Sequence, residues 1–196
     1  MTRLIVQNDD DPLDRHDRYP FLAHLYFLHS KVERIQITQY MYSALRDITL
    51  IQTEQLTQIE FDTSLSTVDS ILINIAPKLD QLYVPLEYIN LKALFISHCK
   101  ISTLTIHPTW AALKILVLIG LEYLNTLFIP AACNKIDFIN ISRSGITRVF
   151  VHSKLTQALI IQAIGNTQVI HLYTHSENFE HVLSPSLIFL KTFDQT

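Results

Sequence analysis

The chain has 196 residues, 48% of them hydrophobic and 17% charged, which suits one domain or one repeat array and excludes a disordered chain. Its net charge of −3 offers no basic cluster on which nucleic-acid binding would rest. With only three glycines and no GxGxxG or P-loop pattern, glycine-rich phosphate loops are excluded too.

Residues 1–20, MTRLIVQNDDDPLDRHDRYP, carry an apolar run that ends at Val6 and is followed by acids, so no secretory leader is expected. Leu4 to Val6 reads as a strand, and Asp9 to Asp17 as a polar cap that blocks further stacking at this end of the chain. No stretch in the chain approaches the ~18–20 uninterrupted apolar residues of a membrane span.

From Phe21 onward one frame recurs. Leu22, Leu25 and Phe27 lead to Ser30; Leu45, Ile48 and Leu50 to Thr53; Val68, Ile71 and Ile73 to Ala76. Leu91, Leu94 and Ile96 lead to Cys99, Leu113, Leu116 and Leu118 to Leu121, and Ile136, Ile139 and Ile141 to Ser144. A weaker copy runs from Leu159 and Ile161 to Ile164. Taking Leu25, Ile48, Ile71, Leu94, Leu116, Ile139 and Leu159 as equivalent gives intervals of 23, 23, 23, 22, 23 and 20. A second apolar triplet follows each frame, at 35–37, 59–61, 82–84, 104–106, 127–129 and 149–151, with a degenerate copy from Val169. Its last interval also falls to 20, which predicts a deletion in the final turn.

Alternation by two sends side chains to opposite faces of an extended segment, so each triplet offers two apolar groups to one side. One unit cannot bury that side alone. Stacked at a constant period, the units line an interior and hydrogen-bond to each other as parallel strands. Ile71, Ile73, Leu94, Ile96, Leu116, Leu118, Ile139 and Ile141 are expected to be among the most buried residues. Pro85, Pro108 and Pro130 fall at or just beyond second triplets, where a missing amide suits a strand exit. The connecting segments, such as HPTWAA, have room for a turn or a brief helix only.

Over roughly residues 21–173 the recurring LxxLxLxx frame resembles the leucine-rich-repeat superfamily, closest to short bacterial repeats of the BspA-like or effector-like kind. The resemblance implies a β-dominated member of the α/β superfamily: a right-handed solenoid of seven to eight turns with parallel strands, used for protein recognition. The chain is thus expected to be a single domain over residues 1–196, with an N-terminal cap at 1–20 and a C-terminal cap at 174–196. In that cap Val182 and Leu187 to Leu190 form a decayed last turn. The family's usual Asn after the strand is replaced here by Ser30, Thr53, Ala76, Cys99, Leu121, Ser144 and Ile164, which weakens the polar ladder that satisfies backbone groups at the corner.

The outward row of the first strands reads Tyr26, Thr49, Leu72, Phe95, Val117, Asn140 and Ile160, with Ile115, Phe138 and Ile119 beside it. That is more apolar than a solvated sheet face, and contiguous exposed apolar area marks association surfaces. The expected partner-binding residues are therefore Leu72, Phe95, Ile115, Val117, Phe138 and Ile160. The partner is a protein, with a second copy of the chain as the alternative. The outward row of the second strands reads Gln36, Glu60, Tyr83, Thr105, Phe128, Phe150 and Ile170, and suits a surface sheet with scattered aromatics.

No catalytic residue and no cofactor is expected. Asp47, Asp69 and Asp137 are too dispersed to act as a carboxylate pair, which leaves a carbohydrate-acting β-helix as the weaker enzymatic rival. Nine histidines include one local cluster, His171, His175 and His181, near Glu177 and Glu180. They lack the spacing of a recognised zinc site and read as structural or solvated, as do His107 and His152 at equivalent positions two turns apart. Cys99 and Cys133 are the only cysteines; Cys99 reads as a packed, inert thiol, Cys133 falls in a corner, PAAC, and neither has the His and acid neighbours of a nucleophile. Two thiols and no leader suggest the cytoplasm, or leaderless export into a host cell.

Overall fold

The computed structural model describes residues 3–7, 21–37, 43–152, 159–166, 168, 170–174, 181–183 and 187–190. The described elements are all strands. In chain order they are β1 (Arg3–Gln7), β2 (His24–Leu28), β3 (Arg34–Ile37), β4 (Asp47–Ile51) and β5 (Gln58–Phe61). Next come β6 (Ser70–Ala76), β7 (Ala93–Cys99), β8 (Ile115–Ile119), β9 (Thr126–Ile129) and β10 (Phe138–Asn140). The last are β11 (Arg148–Val151), β12 (Ile160–Gln162), β13 (Ile170–Thr174), β14 (His181–Leu183) and β15 (Leu187–Leu190).

They stack as a β-solenoid. A nine-stranded parallel sheet runs in the order β1-β2-β4-β6-β7-β8-β10-β12-β14 and forms one side of the coil. Its register places Leu25, Ile48, Ile71, Leu94, Leu116, Ile139 and Ile161 in one row. All seven are fully buried, and the strands alternate between buried and half-buried positions as a two-residue period requires. The eight residues expected to be the most buried are all at 0% exposure. Each apolar side chain so buried is worth roughly 1.5–3 kcal/mol, and stacking is what buries it.

Each first strand ends in a corner that the sequence did not announce. His29, Gln52, Ile75, His98, Gly120, Arg143 and Gly165 all have positive φ, between 53° and 72°. One residue per coil turns the chain left-handed, yet only two of the seven are glycines. The large side chain of one rung lies over the glycine of the next. A Cβ on Gly120 would meet the His98 ring at 2.9 Å, and one on Gly165 would meet Arg143 Cγ at 3.2 Å. Gly145 has a different reason to be glycine, because a Cβ there would sit 2.1 Å from the Glu122 carbonyl oxygen.

Just inside this corner lies the row Ser30, Thr53, Ala76, Cys99, Leu121 and Ser144, each buried. The Ser144 hydroxyl donates to the Ile141 carbonyl at 2.7 Å, and the Ser30 hydroxyl accepts from the Val32 amide at 3.2 Å. These serines thus serve the backbone locally, as the absent Asn would. The seventh member is not Ile164, which is 54% exposed. It is Asn166, whose side-chain oxygen accepts from the Ser144 amide at 2.8 Å.

The second side of the coil is built differently. β3 pairs with β5, and β9, β11, β13 and β15 form a four-stranded ladder, all parallel. Between the two, segments 82–84 and 104–106 keep the in-out alternation but join no ladder. Two prolines bracket the break. Where the second strands do pair, an amide just past the strand bonds back to the previous rung: Asp62 N to Ile37 O at 2.8 Å, and His152 N to Ile129 O at 3.0 Å. The positions equivalent to Asp62 and His152 are Pro85, His107 and Pro130, identified by the same reverse turn in each rung. Leu65 N bonds Asp62 O, Tyr88 N bonds Pro85 O, Trp110 N bonds His107 O and Cys133 N bonds Pro130 O. Pro85 and Pro130 have no amide to give, so Phe61 and Ile106 lose that bond at the two borders of the gap.

The end of the array corrects the expected deletion. Ile161, not Leu159, pairs with Ile139, an interval of 22 residues, and Leu159 is buried in the corner row beside it. Leu172 pairs with Val149, an interval of 23, so the second series does not begin again at Val169. The spacing from the corner residue to the strand shrinks from three, Ile136 to Ile139, to two, Leu159 to Ile161, and that misled the frame. Ile170 is consequently buried at 0% exposure rather than outward, and Tyr173 takes the outward place opposite Phe150. Strands expected at the two caps are present as pairings: β1 with β2, and β14 and β15 with β12 and β13. The acidic stretch Asp9 to Asp17, Val169, and His175 with Glu177 and Glu180 lie outside the described residues.

Candidate functional site

The nine-stranded sheet turns one face to the interior and the other outward. Register sets the outward residues side by side: Leu72 against Phe95 against Val117, and Ile115 against Phe138 against Ile160. With parallel strands about 4.8 Å apart, these six form one apolar strip across β6, β7, β8, β10 and β12. Five are half-buried because neighbours on adjacent rungs lean on each other, and Ile160 is exposed at 37%. Ile160 belongs to the row of Ile115 and Phe138, and the position opposite Val117 and Asn140 is filled by Gln162.

Polar pairs border the strip. Ser97 donates to the Asn74 side-chain oxygen at 2.7 Å, and the Asn140 amide donates to the Gln162 side-chain oxygen at 3.1 Å. On the first rungs His24 Nδ1 lies 2.6 Å from Asp47 Oδ2. Arg46 and Lys92 both reach Asp69, each at 3.1 Å. Of the three dispersed aspartates, Asp47 and Asp69 thus hold basic side chains of neighbouring rungs. The recurrence of charge at 46, 69 and 92, at the repeat's own interval, was the signal available for this. Exposed pairs of this kind contribute little stability, typically under ~1 kcal/mol. The strip is thus an apolar centre with a polar rim.

The second side carries an aromatic row. Phe150 and Tyr173 stack with ring centroids 4.5 Å apart, and Phe128 lies 4.9 Å from the His152 ring. His152 and His107 are on separate rungs, as equivalent positions require. Among the described residues no group of three His, Cys, Asp or Glu side chains gathers closely enough to hold a metal ion. No described helix is long and apolar enough to cross a membrane.

The two thiols are packed. Cys99 and Cys133 are both buried and free, and burial pushes each up to about 11, opposed at Cys99 by a backbone hydrogen bond from Ala76. Neither is a thiolate at neutral pH, so neither is poised as a nucleophile. Tyr88 is fully buried, and burial first, then the Asp62 and Glu87 carboxylates, raise its phenol well above the ordinary value. No protein-family model matches the chain, and no curated protein sequence is similar enough to count as a relative.

Proposed function

We propose that this solenoid is a non-catalytic protein-interaction module, akin to leucine-rich-repeat proteins, that holds a protein partner against the outward face of its nine-stranded sheet. The observation that carries the reading is the apolar strip from Leu72 and Phe95 to Phe138 and Ile160, brought together by register and bordered by polar pairs. A surface that spans several rungs lets one partner touch them together, and a few central aromatic or aliphatic anchors carry most of the energy. The repeat interval of 22 or 23 residues favours the short bacterial class of such modules, with adaptor or effector work in the cytoplasm or in a host cell.

Phe95→Glu tests it. The variant should keep the far-ultraviolet spectrum and cooperative unfolding of the parent and lose the partner that the parent retains from its native organism. A folded Phe95→Glu chain that binds the same partner undiminished means that the strip is not the binding surface. Light scattering over a range of concentrations decides the rival reading. A mass that rises with concentration in the parent, but not in Phe95→Glu, makes the partner a second copy of the chain.

A further inference from the structure

The break in the second side leaves a second opening, away from the apolar strip. Among the described residues, no amide or carbonyl of 82–84 and no amide or carbonyl of 101–106 takes part in a backbone hydrogen bond. The two segments are nevertheless tied at both ends. Lys100 N bonds Leu79 O at 2.9 Å on one side; on the other, Trp110 Nε1 bonds Pro85 O at 3.0 Å and the Thr109 hydroxyl bonds Leu86 O. The result is a slit of about 190 Å³, tied at both ends.

Its lining decides what fits. Leu82 and Val84 supply apolar walls, while Tyr83, Leu86, Thr103, Thr105 and His107 complete it. No Asp, Glu, Lys or Arg is among them, so a charged ligand would find no counter-charge. Tyr83 and Leu86 are both exposed, at 64% and 38%, whereas five of the six strip residues are half-buried. His107 Nδ1 lies 2.9 Å from the Thr109 hydroxyl and 3.3 Å from the Thr109 amide, which holds the ring beside the opening.

We infer that this slit is a docking site for an extended, uncharged polypeptide segment of a partner. The segment's main chain bonds to the unpaired groups of 82–84 and 103–106 while an aliphatic or aromatic side chain enters between Tyr83 and Leu86. A polypeptide in extended form repeats its donors and acceptors every two residues, at the period of the unpaired groups that await it. It is neutral along its backbone, as the lining demands. The site is distinct from the strip on the nine-stranded sheet and does not depend on it.

Hydrogen exchange on the full chain gives the first test. In the free protein the amides of 103–106 should exchange at least about a hundredfold faster than those of the central part of β7. Equal protection means that the slit is closed in solution and overturns the inference. The second test selects binders from a displayed library of random linear peptides on the immobilised parent chain. Enriched peptides should slow exchange at 82–84 and 103–106, bind Leu86→Asp at least about tenfold more weakly, and bind Phe95→Glu as well as the parent. Thr105→Pro, which removes one unpaired amide from a segment whose fold does not use it, should weaken them similarly. Should Thr105→Pro fail to fold, Leu86→Asp decides alone, its side chain being exposed. Protection confined to the nine-stranded sheet, binding undiminished in Leu86→Asp, or no peptide enriched over a Leu86→Asp background overturns the site. Loss of this site leaves the reading of the strip standing, since protection of the nine-stranded sheet would favour it.

Discussion

The two long sides of this coil are written in the same alphabet and end differently. On the first side every rung from β1 to β14 is hydrogen-bonded to the next; on the second, two consecutive rungs fall out of the ladder. Both sides alternate buried and outward residues, so alternation alone does not make a ladder. The clamps at the strand ends are what differ. Entering the first side, one carbonyl accepts two amides of the next rung: Ala23 O takes Arg46 N and Asp47 N, and Arg46 O takes Asp69 N and Ser70 N. Leaving it, the left-handed corner carries the ladder on, as in Gln52 N to Asn74 O at 2.9 Å. The second side has the same forked entry where it pairs, at Glu33 O and at Asn125 O, and lacks it between. There the exits are proline at both borders. A repeat that loses its clamps keeps its interior, because Leu82, Val84 and Ile106 stay buried, but gives up its backbone bonds.

The largest consequence is energetic. Leu94→Ala or Leu116→Ala removes a fully buried side chain from between two bonded rungs that do not collapse onto the cavity, and should cost ~2–5 kcal/mol in urea denaturation. Leu104 occupies the corresponding inward place on the broken side and is only partly buried. Leu104→Ala should cost distinctly less, under about 2 kcal/mol. Equal losses would mean that the two sides are equally well packed, and the contrast between them would not extend beyond the backbone.

The cysteines ask whether the break reaches the interior. Cys99 closes β7 on the intact side, while Cys133 lies in the turn beyond the broken one, with its Sγ 3.5 Å from the His107 carbonyl oxygen. If the opening is superficial, both thiols should resist alkylation of the native chain alike, and a faster Cys133 would show water entering past His107. Their alkaline behaviour follows from burial. A thiol raised from about 9 to about 11 keeps its proton in the folded chain while the unfolded chain loses its own. Stability is therefore full below pH 9 and declines as pH rises from about 9 to about 11, by at most roughly 2–3 kcal/mol per thiol. Cys133→Ala should flatten its share of that decline; an unchanged slope would place the cause elsewhere.

Much of this architecture is legible in the residues, and the parts that are not have physical reasons. The rows headed by Leu25 and Leu22 are visible because burial demands apolar groups at a constant interval. The frame slips from Leu159 onward, where a corner shortens by one residue and a fixed template moves the wrong leucine into register. The left-handed corner is hidden because His29, Gln52, Ile75, His98 and Arg143 hold a conformation that usually advertises itself through glycine. The broken ladder is hidden for a different reason: 82–84 and 104–106 alternate just as 59–61 and 127–129 do, and pairing is a property of neighbours. The apolar strip is read correctly as neighbouring residues, apart from the row to which Ile160 belongs, while the slit has no motif of its own.

The prolines offer the finest test of the comparison, with almost no effect on stability. Pro85→Ala with Pro130→Ala restores an amide at each border of the gap, one facing Phe61 O and the other Ile106 O. If missing clamps cause the break, the restored bonds should form, each contributing about 0.5–1.5 kcal/mol. Against that, each proline removed frees the unfolded chain, which costs roughly 0.4–1 kcal/mol. The two effects nearly cancel, so the denaturation midpoint should move little. Hydrogen exchange reads the bonds directly. The amides at 85 and 130 should be protected, and those of 82–84 should slow as the segment is drawn against β5. Fast exchange at both new amides would show that the side chains of these rungs, rather than their prolines, hold the strands apart, and would move the origin of the break from the clamps to the packing beneath them.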